Sequence, residues 1–149
     1  MTQKNKHIFV FVIFAVDLSF YVDKKVKPGE TIIAKSSNIG PGGKASNQAI
    51  SARKLGAPTT LITRLGDDNF NSYANDIWRK EKLSTSTKID RTLPTGIAGI
   101  FIDDKTGENS VIVHPGASAK LSMNDFNSQK SKMQKGDIFL TQFEQSSDT

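Results

Sequence analysis

The sequence contains no cysteine and only two histidines, His7 and His114. Disulfide scaffolds, thiolate zinc centres and cysteine nucleophiles are therefore excluded, and a histidine metal cluster lacks ligands. Any chemistry falls to carboxylates, amides and backbone groups, so no metal site is expected on this chain. Long apolar runs are also scarce. The longest, Ile8–Val16, has nine residues, too few to span a bilayer. Lys4 and Lys6 precede it in the manner of a secretory signal. Against that, Asp17 follows at once, no small-x-small cleavage site appears, and the run is rich in β-branched and aromatic residues. A buried first strand is the better reading, and the chain is expected to be soluble and cytoplasmic, without membrane contact. Dense charge is missing too: 20 Lys and Arg against 15 Asp and Glu leave a net charge of +5. The basic groupings at Lys24, Lys25 and Lys27 and at Lys130, Lys132 and Lys135 carry no interleaved aromatics, which argues against a nucleic-acid groove.

What is present reads as one domain of 149 residues, with strands alternating with helices. Ile8–Val16 reads as a strand covered on both faces, with Asp17 at its carboxyl end, where open α/β sheets place ligands. Leu18 to Val22 alternates as a half-exposed strand, Lys27-Pro28-Gly29-Glu30 turns, and Thr31 to Ala34 reads as a returning strand. Ala45 to Leu55 reads as a helix closed by Gly56, and Thr59 to Leu65 as a second apolar strand. Phe70, Tyr73, Ala74, Ile77 and Trp78 recur at the spacing of an amphipathic helix. Ile97 to Ile102 and Ser110 to His114 are predicted to form a hairpin. Ser122 is predicted to open a helix reaching about Lys135, and Ile138 to Gln142 to be a last strand, with Glu144 just beyond it. The hairpin and the strands around Phe20 and Ile32 break the alternating rhythm and read as a small added β element.

The segment Gly40 to Ala49, GPGGKASNQA, offers backbone N–H groups at a helix start, which suit a phosphate, a dinucleotide or a polyol. A Walker loop fails, because Lys44 is followed by Ala45 and Asn38 stands where its first glycine belongs. A dinucleotide fingerprint is met by Gly40, Gly42 and Ala45 with Asp67 beyond, but Lys35 to Ile39 is too polar for the strand it requires. A polyol site would use the amides of Gly42 and Gly43, the side chain of Asn47 one turn into the helix, and the carboxylates Asp17 and Glu144.

The run Gly42-Gly43-Lys44-Ala45-Ser46-Asn47-Gln48-Ala49, with Gly56 and Gly66 at their later spacings, resembles the first signature of the ribokinase-like (PfkB-type) carbohydrate kinases. The resemblance continues through Pro28-Gly29-Glu30-Thr31, Gly66-Asp67-Asp68, Thr95-Gly96, Gly107-Glu108-Asn109, Gly116-Ala117 and Gln142-Phe143-Glu144, over nearly the whole chain. It implies an α/β fold: part of a doubly wound sheet, with a small β lid from about 18–39 and 94–114 that also serves as a dimer interface. It implies that Asp17 binds sugar hydroxyls, that Gly42, Gly43 and Asn47 line the pocket, that Glu144 holds the ring from the far side, and that Lys44 lies near the transferring phosphate. The family's first strand ends Gly-Ser-x-Asn-x-Asp, so Ala15 stands here in the asparagine's place. One or two hydrogen bonds lost at a buried site would cost about 1–3 kcal/mol each. Asn71 and Ser118 depart from the pattern as well.

The family's Gly-Ala-Gly-Asp motif, which carries the catalytic base, has no counterpart among these 149 residues. No catalytic residue is therefore assigned. Residues 1–149 are expected to form the N-terminal sugar-binding and lid half of such a kinase. Supplied with a C-terminal half, it would phosphorylate a pentose (ribose to ribose 5-phosphate) with ATP and magnesium, a monovalent cation assisting. Those cofactors would bind mostly outside this chain. A non-catalytic sugar-binding or dimerisation module is the alternative, with Ala15 as its sign. A fragment that barely folds because its apolar sheet edge is unpaired is a third reading, and a dinucleotide-dependent oxidoreductase a distant fourth.

Overall fold

The computed structural model describes residues 6–134 and 137–144. Its main sheet holds β1 (Ile8–Phe11), β4 (Thr59–Gly66), β5 (Ser84–Asp90) and β8 (Ile138–Thr141), in the order β5-β4-β1-β8 and parallel throughout. Because successive side chains of a strand point to opposite faces, the apolar run of β1 feeds two cores. Val10 joins Leu61, Leu65, Ala49, Ala74 and Trp78 on one face. Phe9 and Phe11 join Ile62 and Leu121 on the other. The first face is covered by α1 (Lys44–Lys54) and α2 (Asn69–Lys80), and the second by the short α3 (Met123–Asn127). Burying a side chain of this size stabilises the fold by about 1.5–3 kcal/mol, and Phe14 meets Trp78 edge to face with centroids 5.0 Å apart.

The second sheet comprises β2 (Val16–Val22), β3 (Ser36–Pro41), β6 (Ile97–Asp103) and β7 (Asn109–His114), in the order β3-β2-β6-β7. β2 and β6 are parallel, and both outer pairs are antiparallel. Tyr73 of α2 donates its hydroxyl to the Ile39 carbonyl of β3 at 2.8 Å, tying this sheet to the helical layer. Among the described residues, no helix is long and apolar enough to cross a membrane.

Several expectations need correction. Ile8–Val16 is not one strand: β1 stops at Phe11, and Val16 already belongs to the second sheet. Asp17 is consequently the second residue of β2 and not the end of β1. The returning strand is Ser36–Pro41, whereas Thr31 to Ala34 is irregular. That polar segment pairs with β2 through its backbone and leaves its side chains largely exposed, so its lack of apolar residues does not exclude a strand. Ser84–Asp90 forms an unforeseen strand, because its serines and threonines sit on a sheet edge where burial is slight. The helix after Ser122 ends at Asn127 and gives way to a 3-10 turn at Lys130–Lys132. Lys135 lies outside the described residues. This short helix is docked by the Arg64–Asp125 ion pair at 2.8 Å, with both side chains nearly buried.

Helices α1 and α2 leave by the same hydrogen-bond pattern. After α1, Gly56 donates to the Arg53 carbonyl and Ala57 to that of Ala52; after α2, Lys82 donates to Arg79 and Leu83 to Trp78. This paired arrangement needs a left-handed residue just past the helix. Gly56 supplies it freely at φ 88°, while Lys82 is held there at φ 52°. Lys82→Gly should therefore stabilise the chain by about 1 kcal/mol, and Gly56→Ala should destabilise it by about as much. Urea unfolding of the two variants beside the parent checks both signs.

Candidate functional site

Four chain segments cross between the sheets side by side: 12–15, 42–43, 94–96 and 115–116. Backbone that leaves a sheet must find new partners for its polar groups, and three carbonyls of the first crossing find them here. Thr63 Oγ1 donates to the Val12 carbonyl at 2.7 Å, Ser118 Oγ to that of Phe14 at 3.2 Å, and the Gly42 amide to that of Ala15 at 2.8 Å. The approach is so close that a Cβ on Gly43 would lie 2.7 Å from the Ile13 oxygen, and one on Gly96 2.5 Å from the Phe14 oxygen. Asp68 caps α2 by accepting from the Asn71 amide at 3.0 Å. It also accepts from the Thr95 amide at 2.7 Å and hydroxyl at 2.8 Å, clamping the third crossing. Burial works to raise the pKa of Asp68, but the bonds from Thr95, Asn71 and Phe70 outweigh it and hold the carboxyl below its ordinary value.

Beside these crossings lies a cleft of about 540 Å³. Its polar rim is Asp17, Gly43, Lys44 and Glu144; Ile13, Ala15 and Pro115 lie along the crossings, and Ala98, Ile100, Val111 and Val113 form the wall of the second sheet. Pairing of Asp17 with Ala98 and of Ala98 with Val113 explains why these three share one face. The larger hollow of about 640 Å³ on the outer side of α2 gathers Ser72, Asn75, Arg79 and Thr85 but none of the glycine-loop residues.

The Asp17 carboxylate forms no hydrogen bond or ion pair with any described residue, and desolvation raises its pKa above the ordinary value of 3.8. Its Oδ1 lies where a side chain on residue 42 would stand, 1.9 Å from an ideal Cβ. Lys44 and Glu144 form an ion pair across the cleft mouth. Beside it, Gln142 donates to the Gln48 side chain at 2.9 Å. The structure thus brings together Asp17, Gly42, Gly43, Lys44 and Glu144. Asn47 is different: it is exposed on α1, its amide donating to the Gly43 carbonyl at 3.1 Å, and it does not line the cleft. Sequence reasoning missed the apolar wall and Ile13, although the alternation of Ile13, Ala15 and Asp17 against Val12, Phe14 and Val16 held the signal. It also missed the Thr95 clamp, which nothing in local spacing marks.

Gly42→Ala should destabilise the chain by about 1–3 kcal/mol, the usual cost of overpacking, because the new methyl takes the space of the Asp17 carboxylate. Gly99→Ala, with nothing within 4 Å of its Cβ, should be close to neutral. Thermal unfolding of the pair tests whether the loss belongs to the site and not to glycine replacement in general.

A family model described as pfkB family carbohydrate kinase matches residues 5–142. A ribokinase of Dictyostelium discoideum is 35% identical over 129 residues, 86% of this chain and 40% of that protein. A deoxyribokinase of Salmonella typhi is 33% identical, over 87% of this chain and 42% of that protein. The solved ribokinase of Arabidopsis thaliana, complexed with ribose and ATP, superposes with a TM-score of 0.75 at 26% identity, covering 97% of this chain and 47% of that one. The chain therefore spans about two fifths of the length of these curated relatives. Its two sheets are part of the ribokinase-like α/β fold, as the glycine-loop resemblance implied. On the match over residues 5–142, the chain belongs to the pfkB family of carbohydrate kinases.

Proposed function

We propose that this chain is the sugar-binding part of a cytoplasmic kinase that transfers the terminal phosphate of ATP to a hydroxyl of a pentose, either ribose or its deoxy form. One observation carries the reading: Asp17 holds a partly desolvated carboxylate without a partner among the described residues, aimed at a cleft whose neighbouring backbone is glycine. A desolvated anion without a partner is costly unless a ligand supplies donors, and sugar hydroxyls supply them. The names of the relatives support a pentose, and the ribose-and-ATP complex of one of them supports the reaction.

In this reading Asp17 accepts hydrogen bonds from the sugar, the Gly42–Gly43 turn lets the ring approach the backbone, and Glu144 closes the far side. Asn47 would have to reach the sugar from its exposed place on α1. Lys44, released from Glu144, would meet the phosphate. The second sheet, most of which lies within 18–39 and 94–114, would act as a lid. Its exposed strand β7, with Val111, Ile112 and Val113, offers a surface for a second copy. ATP supplies the phosphoryl group when bound, and apart from Lys44 its contacts fall mostly outside the residues here. The cleft carries two carboxylates against one cation, and that cation is already paired. Among the described residues, no group of three His, Cys, Asp or Glu could hold a metal. On the family resemblance, most nucleotide and magnesium contacts, together with the base, are assigned to the length of the relatives that this chain does not span.

Titration of the labelled chain with D-ribose and 2-deoxy-D-ribose should move the amides of Gly42, Gly43 and Ala98, while ATP and magnesium alone should yield no sugar phosphate. Saturating sugar that moves none of these amides would overturn the reading. Asp17→Asn should weaken binding about 10- to 100-fold, the worth of a hydrogen bond to a charged group.

Binding should fade as pH falls through the raised pKa of Asp17, above the 3.8 of an ordinary carboxyl. The stability of the free chain runs the other way. A raised pKa means that the folded state holds the proton more tightly, so this contribution is full below the unfolded pKa and lost as pH rises through the folded one. Asp17→Asn should consequently raise the melting temperature at pH 7 while lowering affinity, which calorimetry in both modes would read.

A further inference from the structure

The cleft floor is a row of three residues. The extended chain from Val12 to Asp17 sends Val12, Phe14 and Val16 into the core and presents Ile13, Ala15 and Asp17 to the cleft. This row cannot turn over: the Ile13 oxygen is packed against Gly43, and the Ala15 oxygen accepts from the Gly42 amide. The facing wall is apolar as well, built from Ala98, Ile100, Val111 and Val113. Lys44 and Glu144 occupy each other at the mouth. Along the floor, therefore, only one position in three can answer a hydroxyl, and the two beside it are hydrocarbon. A pentose lying on this row meets a hydrogen-bond acceptor at Asp17 and methyl groups next to it.

We infer that the cleft is matched to a deoxypentose, with a hydroxyl on Asp17 and a methylene against Ala15, so that Ala15 sets the preference for a sugar with one hydroxyl fewer than ribose. The inference rests on the reading that this cleft holds a pentose. A hydroxyl pressed on apolar side chains loses its water without replacement. A pocket of that kind discriminates against the hydroxyl-bearing isostere by up to about 100-fold.

The test is calorimetric or chemical-shift titration of the chain with 2-deoxy-D-ribose and with D-ribose. The expected result is a dissociation constant about tenfold or more lower for the deoxy sugar. Ala15→Asn, which adds a donor and an acceptor to the row, should narrow that ratio about tenfold or reverse it. Since Ala15 is buried, Ala15→Ser is the smaller second variant and should move the ratio the same way. Equal affinities, or a preference of the parent for ribose, overturn the inference and leave the pentose reading standing. A deoxy preference that neither variant alters overturns the role of Ala15. Absence of binding by both sugars overturns the pentose reading and this inference with it.

Discussion

The carbonyl oxygens of Val12, Phe14 and Ala15 are the point on which the molecule depends. A strand that belongs to one sheet can hand its chain to another only if the backbone between them is satisfied outside either ladder. Thr63, Ser118 and Gly42 provide that satisfaction from three separate segments. Such close approach needs neighbours with no side chain, so glycines gather at the crossings. Gly66 and Gly116 follow the same logic, since a Cβ on either would meet the backbone around Pro94 and Thr95 at 2.2–2.9 Å. The glycine loop is thus required by the fold as well as suited to a ligand.

The crossing also decides the chemistry of the cleft. An extended chain divides its side chains between two faces, and here one face becomes core and the other becomes floor. Phe14 locks the division by packing on Trp78. Asp17, the last member of the floor row, is carried by the same alternation to the start of β2, beside Ala98 and against Gly42. Its raised pKa is the result of its partial burial there. Core packing and site electrostatics therefore follow from one stretch of chain.

Much of this was legible in the residues, for reasons that differ by element. Amphipathic spacing from Phe70 to Trp78 reveals α2, because a helix that buries one face must repeat near every third or fourth residue. The glycine run reveals the crossing, because close backbone contact excludes side chains. The pairing of Ser36–Pro41 and Ser84–Asp90 is hidden, since strands held by backbone bonds at exposed positions leave no hydrophobic pattern. The break after Phe11 is hidden for the opposite reason: Val12, Phe14 and Val16 stay apolar across it because both sides of the break are buried. Asn47 reads as a pocket residue both from its place one turn into the helix and from the motif, and neither shows that its side chain stands exposed on α1.

The Tyr73 contact with Ile39 gives the molecule a mechanical asymmetry. Along the crossings, the two sheets are joined by buried backbone packing that cannot stretch without opening the core. At the far edge of β3, they are joined by one phenol hydroxyl at an exposed position, a bond whose net worth is only about 0.5–1.5 kcal/mol. The second sheet is therefore held by close backbone packing along one margin and by an exposed side-chain bond near the other.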